Sequence, residues 1–211
     1  MATEVEIKFR ARSGGALDGL AAIDRLAGAE LGRPRTVAEV DRYLDTADGR
    51  LAGARWACRL RERGGAIRVS LKGPAEASGR AWLHRRAEVE GPANPATDPA
   101  SWPPSEARDL LDRLRAGAPL AERFRLEQER TERSVAVDGV PIGTMTLDRV
   151  QVVGEGEVAG TLHAVELELA DPEGIEAGLV DRLARELADR PGLEPDDRTK
   201  LEHALDLLAA R

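Results

Sequence analysis

One cysteine, Cys58, stands among 211 residues. A disulfide framework within the chain is therefore excluded, and a reducing cytoplasm is the expected compartment. Aromatic residues are scarce: three tryptophans, two phenylalanines and one tyrosine. The sequence shows no base-stacking pocket, which favours an inorganic over a nucleotide ligand. No apolar run approaches the roughly 18 residues of a membrane-spanning helix. No signal peptide is read, because the first residues enter a charged strand directly. A basic surplus is also missing. The net charge of −7 argues against a nonspecific nucleic-acid binder. The three histidines, His84, His163 and His203, lack metal-ligand spacing and read as packing or surface residues. No Gly-Lys-Ser/Thr follows the glycine pairs, so there is no Walker loop.

Lysine is the most telling shortage. Of 31 basic residues only Lys8, Lys72 and Lys200 are lysines. A GC-rich coding bias towards arginine accounts for the rest. The three lysines then mark places where a compact ammonium is needed rather than a planar fork.

What is present is alternation. Glu4, Glu6 and Lys8 alternate with Val5, Ile7 and Phe9, a period of two that predicts a strand with all charges on one face. Two carboxylates about 7 Å apart along a strand, with an ammonium next in line, suit a divalent metal beside an anionic oxygen. The pattern recurs. Arg59 and Arg61 share a face, then Arg68, Ser70 and Lys72, joined by a hairpin at Gly64-Gly65. Arg86, Glu88 and Glu90 share another, as do Arg123 and Arg125, and Glu166 and Glu168. Cys58 alternates out of register with Arg59 and Arg61 and reads as an apolar-face residue. Trp56 is read as packed away from the charged face, and Trp82 as a packed strand-end residue.

Between these strands, Leu17, Leu20, Ile23 and Leu26 have helical spacing. Residues 37–44 read as a strand and residues 45–49 as a turn. Residues 91–104 are proline-rich and read as a loop whose Trp102 region shapes the mouth of the site. Ser105 caps a short helix carrying Leu111. Residues 120–133 suit strand or helix, and strand is preferred. Residues 135–153 read as two strands turning at Asp138-Gly139, with Asp148 in the second. Two closing helices follow, one striped by Leu179, Leu183 and Leu187, the other capped by Asp197 with Lys200 in its first turn. One domain spans residues 1–211.

Strands apolar on one face and charged on the other make an α+β arrangement with helices on the apolar side. The charged faces carry more than solubility needs. If the sheet closes, they line a lumen, and the helices cover the outside. A dry charged lumen is costly unless its charges pair, whereas a wet one holds an ionic ligand. Arginine forks and lysines pair with phosphate oxygens. Carboxylates without His or Cys suit Mg²⁺ or Mn²⁺. Together they suit a polyphosphate with its metals.

In this order, Glu4-Val5-Glu6-Ile7-Lys8, Tyr43-Leu44-Asp45-Thr46, Arg59-Leu60-Arg61, Leu71-Lys72, Arg86-Ala87-Glu88-Val89-Glu90, Arg123-Phe124-Arg125, Leu147-Asp148, Glu166-Leu167-Glu168 and Thr199-Lys200 resemble the CYTH domain of the triphosphate tunnel metalloenzyme superfamily. The resemblance covers essentially the whole chain, with Thr199 where serine is usual. It implies a closed eight-stranded antiparallel β-barrel forming a tunnel with a charged lumen, helices outside. It also implies a divalent-metal-dependent hydrolase acting on a small-molecule triphosphate. Glu4, Glu6, Asp148, Glu166 and Glu168 are then metal ligands. Lys8, Arg59, Arg61, Lys72, Arg86, Arg123, Arg125 and Lys200 bind phosphate, with Lys8 and Lys200 also catalytic. Glu88 and Glu90 hold a second metal or orient the water. Inorganic triphosphate is the preferred expectation. A class IV adenylate cyclase, a thiamine triphosphatase and a polyphosphate-binding module stay open as alternatives.

Overall fold

The computed structural model describes residues 2–76, 78–171 and 174–211, without the side chains of Ala2 and Ala177. Among the described residues, eleven strands form one sheet. Eight of them close a ring: β1 (Ala2–Ala11), β4 (Arg35–Thr46), β5 (Ala57–Arg63), β6 (Ala66–Ala75), β7 (Leu83–Pro92), β8 (Leu120–Val137), β9 (Val140–Gly154) and β10 (Glu157–Leu169). Their order is β8-β4-β5-β6-β7-β1-β10-β9, and β9 returns to β8. Every pairing around the ring is antiparallel. The expected barrel is therefore present, with five α-helices among the described residues packed around it.

Hairpin chemistry sets the register. Gly64 and Gly65 both take positive φ, as do Asp138 and Gly139, and Glu155 and Gly156. Two-residue loops of that hand match the strand twist. With register fixed, alternation does the rest. Val5, Ile7 and Phe9 of β1 face outward into an apolar cluster under α1 (Gly14–Ala21) and α4 (Ala177–Ala188). Cys58, Leu60, Val69 and Leu71 face outward into a second cluster under α2 (Arg50–Gly53) and α3 (Glu106–Arg115). The apolar core thus lies outside the barrel, between sheet and helices.

At one end the inward face turns apolar. Phe124, Leu126, Val150 and Val152 cluster there with Ala204, Leu207 and Leu208 of α5 (Lys200–Ala209). Ser105 caps α3 as expected, accepting from the Arg108 amide at 3.2 Å.

Several local expectations are corrected. α1 stops at Ala21, so Leu26 belongs instead to β2 (Arg25–Leu26), which pairs with β3 (Ala29–Leu31). Arg133, on β8, explains that stop. It is buried, and its guanidinium donates to the carbonyls of Leu20, Ala21 and Ile23 at the end of α1, and to those of Leu31 and Gly32. A third short strand, β11 (Leu193–Pro195), pairs with β1. The cap of α5 is Thr199 rather than Asp197. Thr199 and Glu202 form a reciprocal capping box. Trp102 does not shape a mouth; it is buried in the outer cluster under α3. Trp82 packs against the other outer cluster.

Candidate functional site

The inward faces enclose a cavity of about 920 Å³. Thirteen of the charged residues singled out in the sequence line it: Glu4, Glu6, Lys8, Arg59, Arg61, Lys72, Arg86, Glu88, Glu90, Arg123, Glu166, Glu168 and Lys200. Register explains their meeting. Glu6 stands opposite Glu168 and Lys8 opposite Glu166 across β1 and β10. Glu4 faces Arg86 across β1 and β7, and Lys72 faces Glu88 across β6 and β7.

Two predicted residues stand elsewhere. Asp148 is fully buried on the inward face beneath the residues that line the cavity, where it accepts two bonds from Arg130 at 2.8 and 2.9 Å and one from Lys200 at 2.5 Å. Arg125 is on the outer face. It pairs with Glu127 at 3.3 Å and borders a separate small groove with Glu122 and Val153. The cause is a bulge. Tyr43 pairs with Phe124 but Leu44 pairs with Glu122, so Arg123 is the extra residue and is turned towards the cavity.

Opposite charges are tightly interleaved. Lys72 donates to Glu4 at 2.6 and 2.8 Å and to Glu88 at 3.2 Å. Arg86 donates to Glu4 at 2.8 Å and to Glu6 at 3.2 Å. Burial alone would raise the Glu4 carboxyl, but Lys72 and Arg86 outweigh it and hold it at about 2. Burial pulls the Lys72 ammonium down, and neighbouring Arg59 and Arg86 add to that. Lys200 bridges Asp148 and Glu166, the latter at 2.7 Å. Burial opposes its charge, yet the two carboxylates keep its pKa raised. Glu166 is likewise held low against burial by Lys200, Lys8 and Arg130.

Glu168 behaves differently. No ion pair or hydrogen bond engages its side chain among the described residues; burial raises its carboxyl, followed by repulsion from Glu4, and these outweigh the nearby Lys72 charge, with Glu88 and Glu6 adding to the repulsion. A carboxylate with no cation bonded to it, set among other carboxylates, is a place for a cation to bind. The donors there are all oxygen, which fits a hard divalent ion. In the present arrangement no three acidic, histidine or cysteine side chains converge as a metal cluster among the described residues. Glu4 and Glu6 are turned onto Lys72 and Arg86 instead.

A further charged layer was not anticipated. Glu39 and Asp41 of β4 and Arg130 of β8 are buried on the inward face. Asp41 accepts two 2.7 Å bonds from Arg61 and one from Gln128. Glu39 lies between Arg61 at 3.2 Å and Arg63 at 3.1 Å. Alternation through residues 37–45 and 124–132 carried this signal, but polar residues on both faces of β8 hid it. At the other end, Trp56 lines the cavity with Ala52, Gly73, Leu201 and Leu205, correcting the expectation that it packs away. Gly73 leaves room for its indole: a Cβ there would come within 3.2 Å of the ring.

Comparison with known proteins places these observations in context. The family model of the CYTH domain matches residues 2–204. HpAC1 from Hippeastrum, described as having a dominant triphosphatase activity, superposes with a TM-score of 0.67 at 21% identity, over 96% of this chain and 95% of that one. A proposed adenylate cyclase from Bacillus halodurans superposes with a TM-score of 0.62 at 20% identity, over 96% and 98%. No curated protein sequence matches the chain.

Proposed function

The chain belongs to the CYTH domain family, and on that premise we propose that it is a divalent-metal-dependent triphosphatase. One observation carries the reading: lysines, arginines and carboxylates are interleaved around one cavity inside the barrel. The structural relative HpAC1, with its dominant triphosphatase activity, supports it.

In this reading Lys8, Arg59, Arg61, Lys72, Arg86, Arg123 and Lys200 take the phosphate oxygens. They offset charge as it develops on the leaving phosphate. Glu4, Glu6 and Glu168 supply the oxygens for Mg²⁺ or Mn²⁺, with Glu166 beside them. The bound ion would polarise a phosphoryl oxygen and lower the pKa of a water. Asp148 acts by holding Lys200 and Arg130. Glu88, which accepts from Ser70 and Lys72, is placed to orient the water. The terminal phosphoanhydride is cleaved by water in line, with no covalent nucleophile.

Inorganic triphosphate is the proposed substrate on the scarcity of aromatic residues. The cavity favours a second reading. Its volume exceeds that of a bare triphosphate chain, and Trp56, Leu201 and Leu205 border it. An organic triphosphate with a flat group would use that border. Phosphate release from inorganic triphosphate, ATP and thiamine triphosphate, each with Mg²⁺, Mn²⁺ or EDTA, tests both. Metal-dependent release from any of the three supports the triphosphatase, and their ranking selects the substrate. Absence of release from all three refutes it, and cyclic AMP formed from ATP would replace it with a cyclase.

A further inference from the structure

The three histidines read as unconnected in the sequence, yet two of them meet on one residue. Asp196 lies between β11 and α5. Its amide donates to the Lys8 carbonyl at 3.1 Å. Its carbonyl receives His84 Nε2 at 2.7 Å. Its carboxylate receives His203 Nε2 at 2.8 Å and the Arg198 amide at 3.1 Å. A carbonyl only accepts, so Nε2 is the protonated nitrogen of His84. His84 is 5% exposed and sits on the inward face of β7, opposite Glu6.

Four residues after Asp196 comes Lys200, the first residue of α5. α5 packs through Leu201 in its first turn and through Ala204, Leu207 and Leu208 further along. With the Thr199–Glu202 capping box, Asp196 fixes the approach of the chain to this first turn. Asp196 is tied to β1 and β7, while Lys200 reaches Asp148 on β9 and Glu166 on β10. The ammonium is thus held on β9 and β10, next in the ring to the two strands, β7 and β1, that anchor Asp196.

We propose that His84 is a positioning residue which, through the Asp196 carbonyl, sets where the Lys200 ammonium stands in the tunnel. Its catalytic consequence rests on the reading above, in which Lys200 meets phosphate. Its structural content does not. Glutamine at position 84 can present an amide donor where Nε2 stands; leucine cannot.

With only three lysines in the chain, the Nζ resonances of ¹⁵N-lysine-labelled protein report each ammonium separately. The expected result is that His84→Leu moves the Lys200 resonance, leaves that of Lys72 in place, and that His84→Gln restores the wild-type position. In turnover, His84→Leu should lower kcat/KM by about tenfold, with a loss of less than about twofold when introduced into Lys200→Met, because coupled residues are not additive. A Lys200 resonance unmoved by His84→Leu overturns the proposal. So does His84→Gln failing as badly as His84→Leu, which would assign the ring a role of its own. Full additivity with Lys200→Met overturns it as well. If Lys200→Met keeps wild-type turnover while the resonance still responds to His84, the tether stands and the phosphate-binding reading of Lys200 falls.

Discussion

Asp148→Asn separates a structural carboxylate from a metal ligand. The Asp148 side chain is fully buried and engages two cations, Arg130 through paired bonds of 2.8 and 2.9 Å and Lys200 at 2.5 Å. Neutralising it leaves both cations in the wall with less compensation. Breaking a buried pair from one side costs about 3–5 kcal/mol. A chain of this size unfolds in urea with a slope near the upper end of the roughly 1–3 kcal/mol/M range. The midpoint should therefore fall by about 1–2 M, measured by circular dichroism in EDTA. The double variant Arg130→Met with Asp148→Leu should recover most of the loss. Lys200 would keep Glu166, and Glu39 would keep Arg61 and Arg63. A shift below about 0.3 M in EDTA would refute the reasoning. It would mean that Asp148 matters only when a metal is present.

Glu4→Gln should lower turnover at least about 100-fold while changing metal-free triphosphate binding only a few-fold, as titration calorimetry can show; equal loss of both would count against a metal role for Glu4. Glu168→Gln should raise the melting temperature of the metal-free protein near neutral pH, because the raised Glu168 carboxyl is an unfavourable charge there; it should also shrink the rise that saturating Mn²⁺ gives the wild type, and an undiminished rise would move the ion elsewhere. Glu4 titrates at about 2 in the folded chain, against 4.5 for the ordinary group, so its contribution is complete above about pH 4.5 and disappears as pH falls towards 2. Wild-type urea midpoints should consequently fall more steeply over that window than those of Glu4→Gln, and parallel curves would contradict the pairing. Arg123→Ala should raise KM several-fold and Arg125→Ala leave it within about twofold, and the reverse order would place the bulge on the other side of Arg123.

The contrast between those two arginines shows what was legible beforehand. Strict alternation placed Glu4, Glu6, Lys8, Arg86, Glu88 and Glu90 on one face, because a regular strand has a period of two. It placed Arg125 wrongly because one bulged residue resets the parity. A bulge leaves no mark in an alternating stretch of arginine and phenylalanine. Arg130 escaped notice because β8 is polar on both faces where neighbouring strands change from apolar to charged. β2, β3 and β11 have two or three residues each, too few to show any period. The meeting of His84 with Asp196 spans 112 positions, a contact no local pattern encodes. Leu26 looked helical by spacing, but Arg133 ends that helix from a distant strand.

That arginine also imposes an order of events. The carbonyls that Arg133 gathers belong to residues 20–32, and Gly32 precedes it by 101 positions. At a ribosomal pace of about 5–20 residues per second, the early segment waits roughly 5–20 s for the side chain that will fix it. During that interval the end of α1 can be completed only by water. The outer cluster that α1 shares with β1 is also short of β9 and β10 at that stage. Arg133 therefore acts as a late fastener on an early piece of chain, and the nascent segment 12–32 stays open to proteases and chaperones until β8 is made.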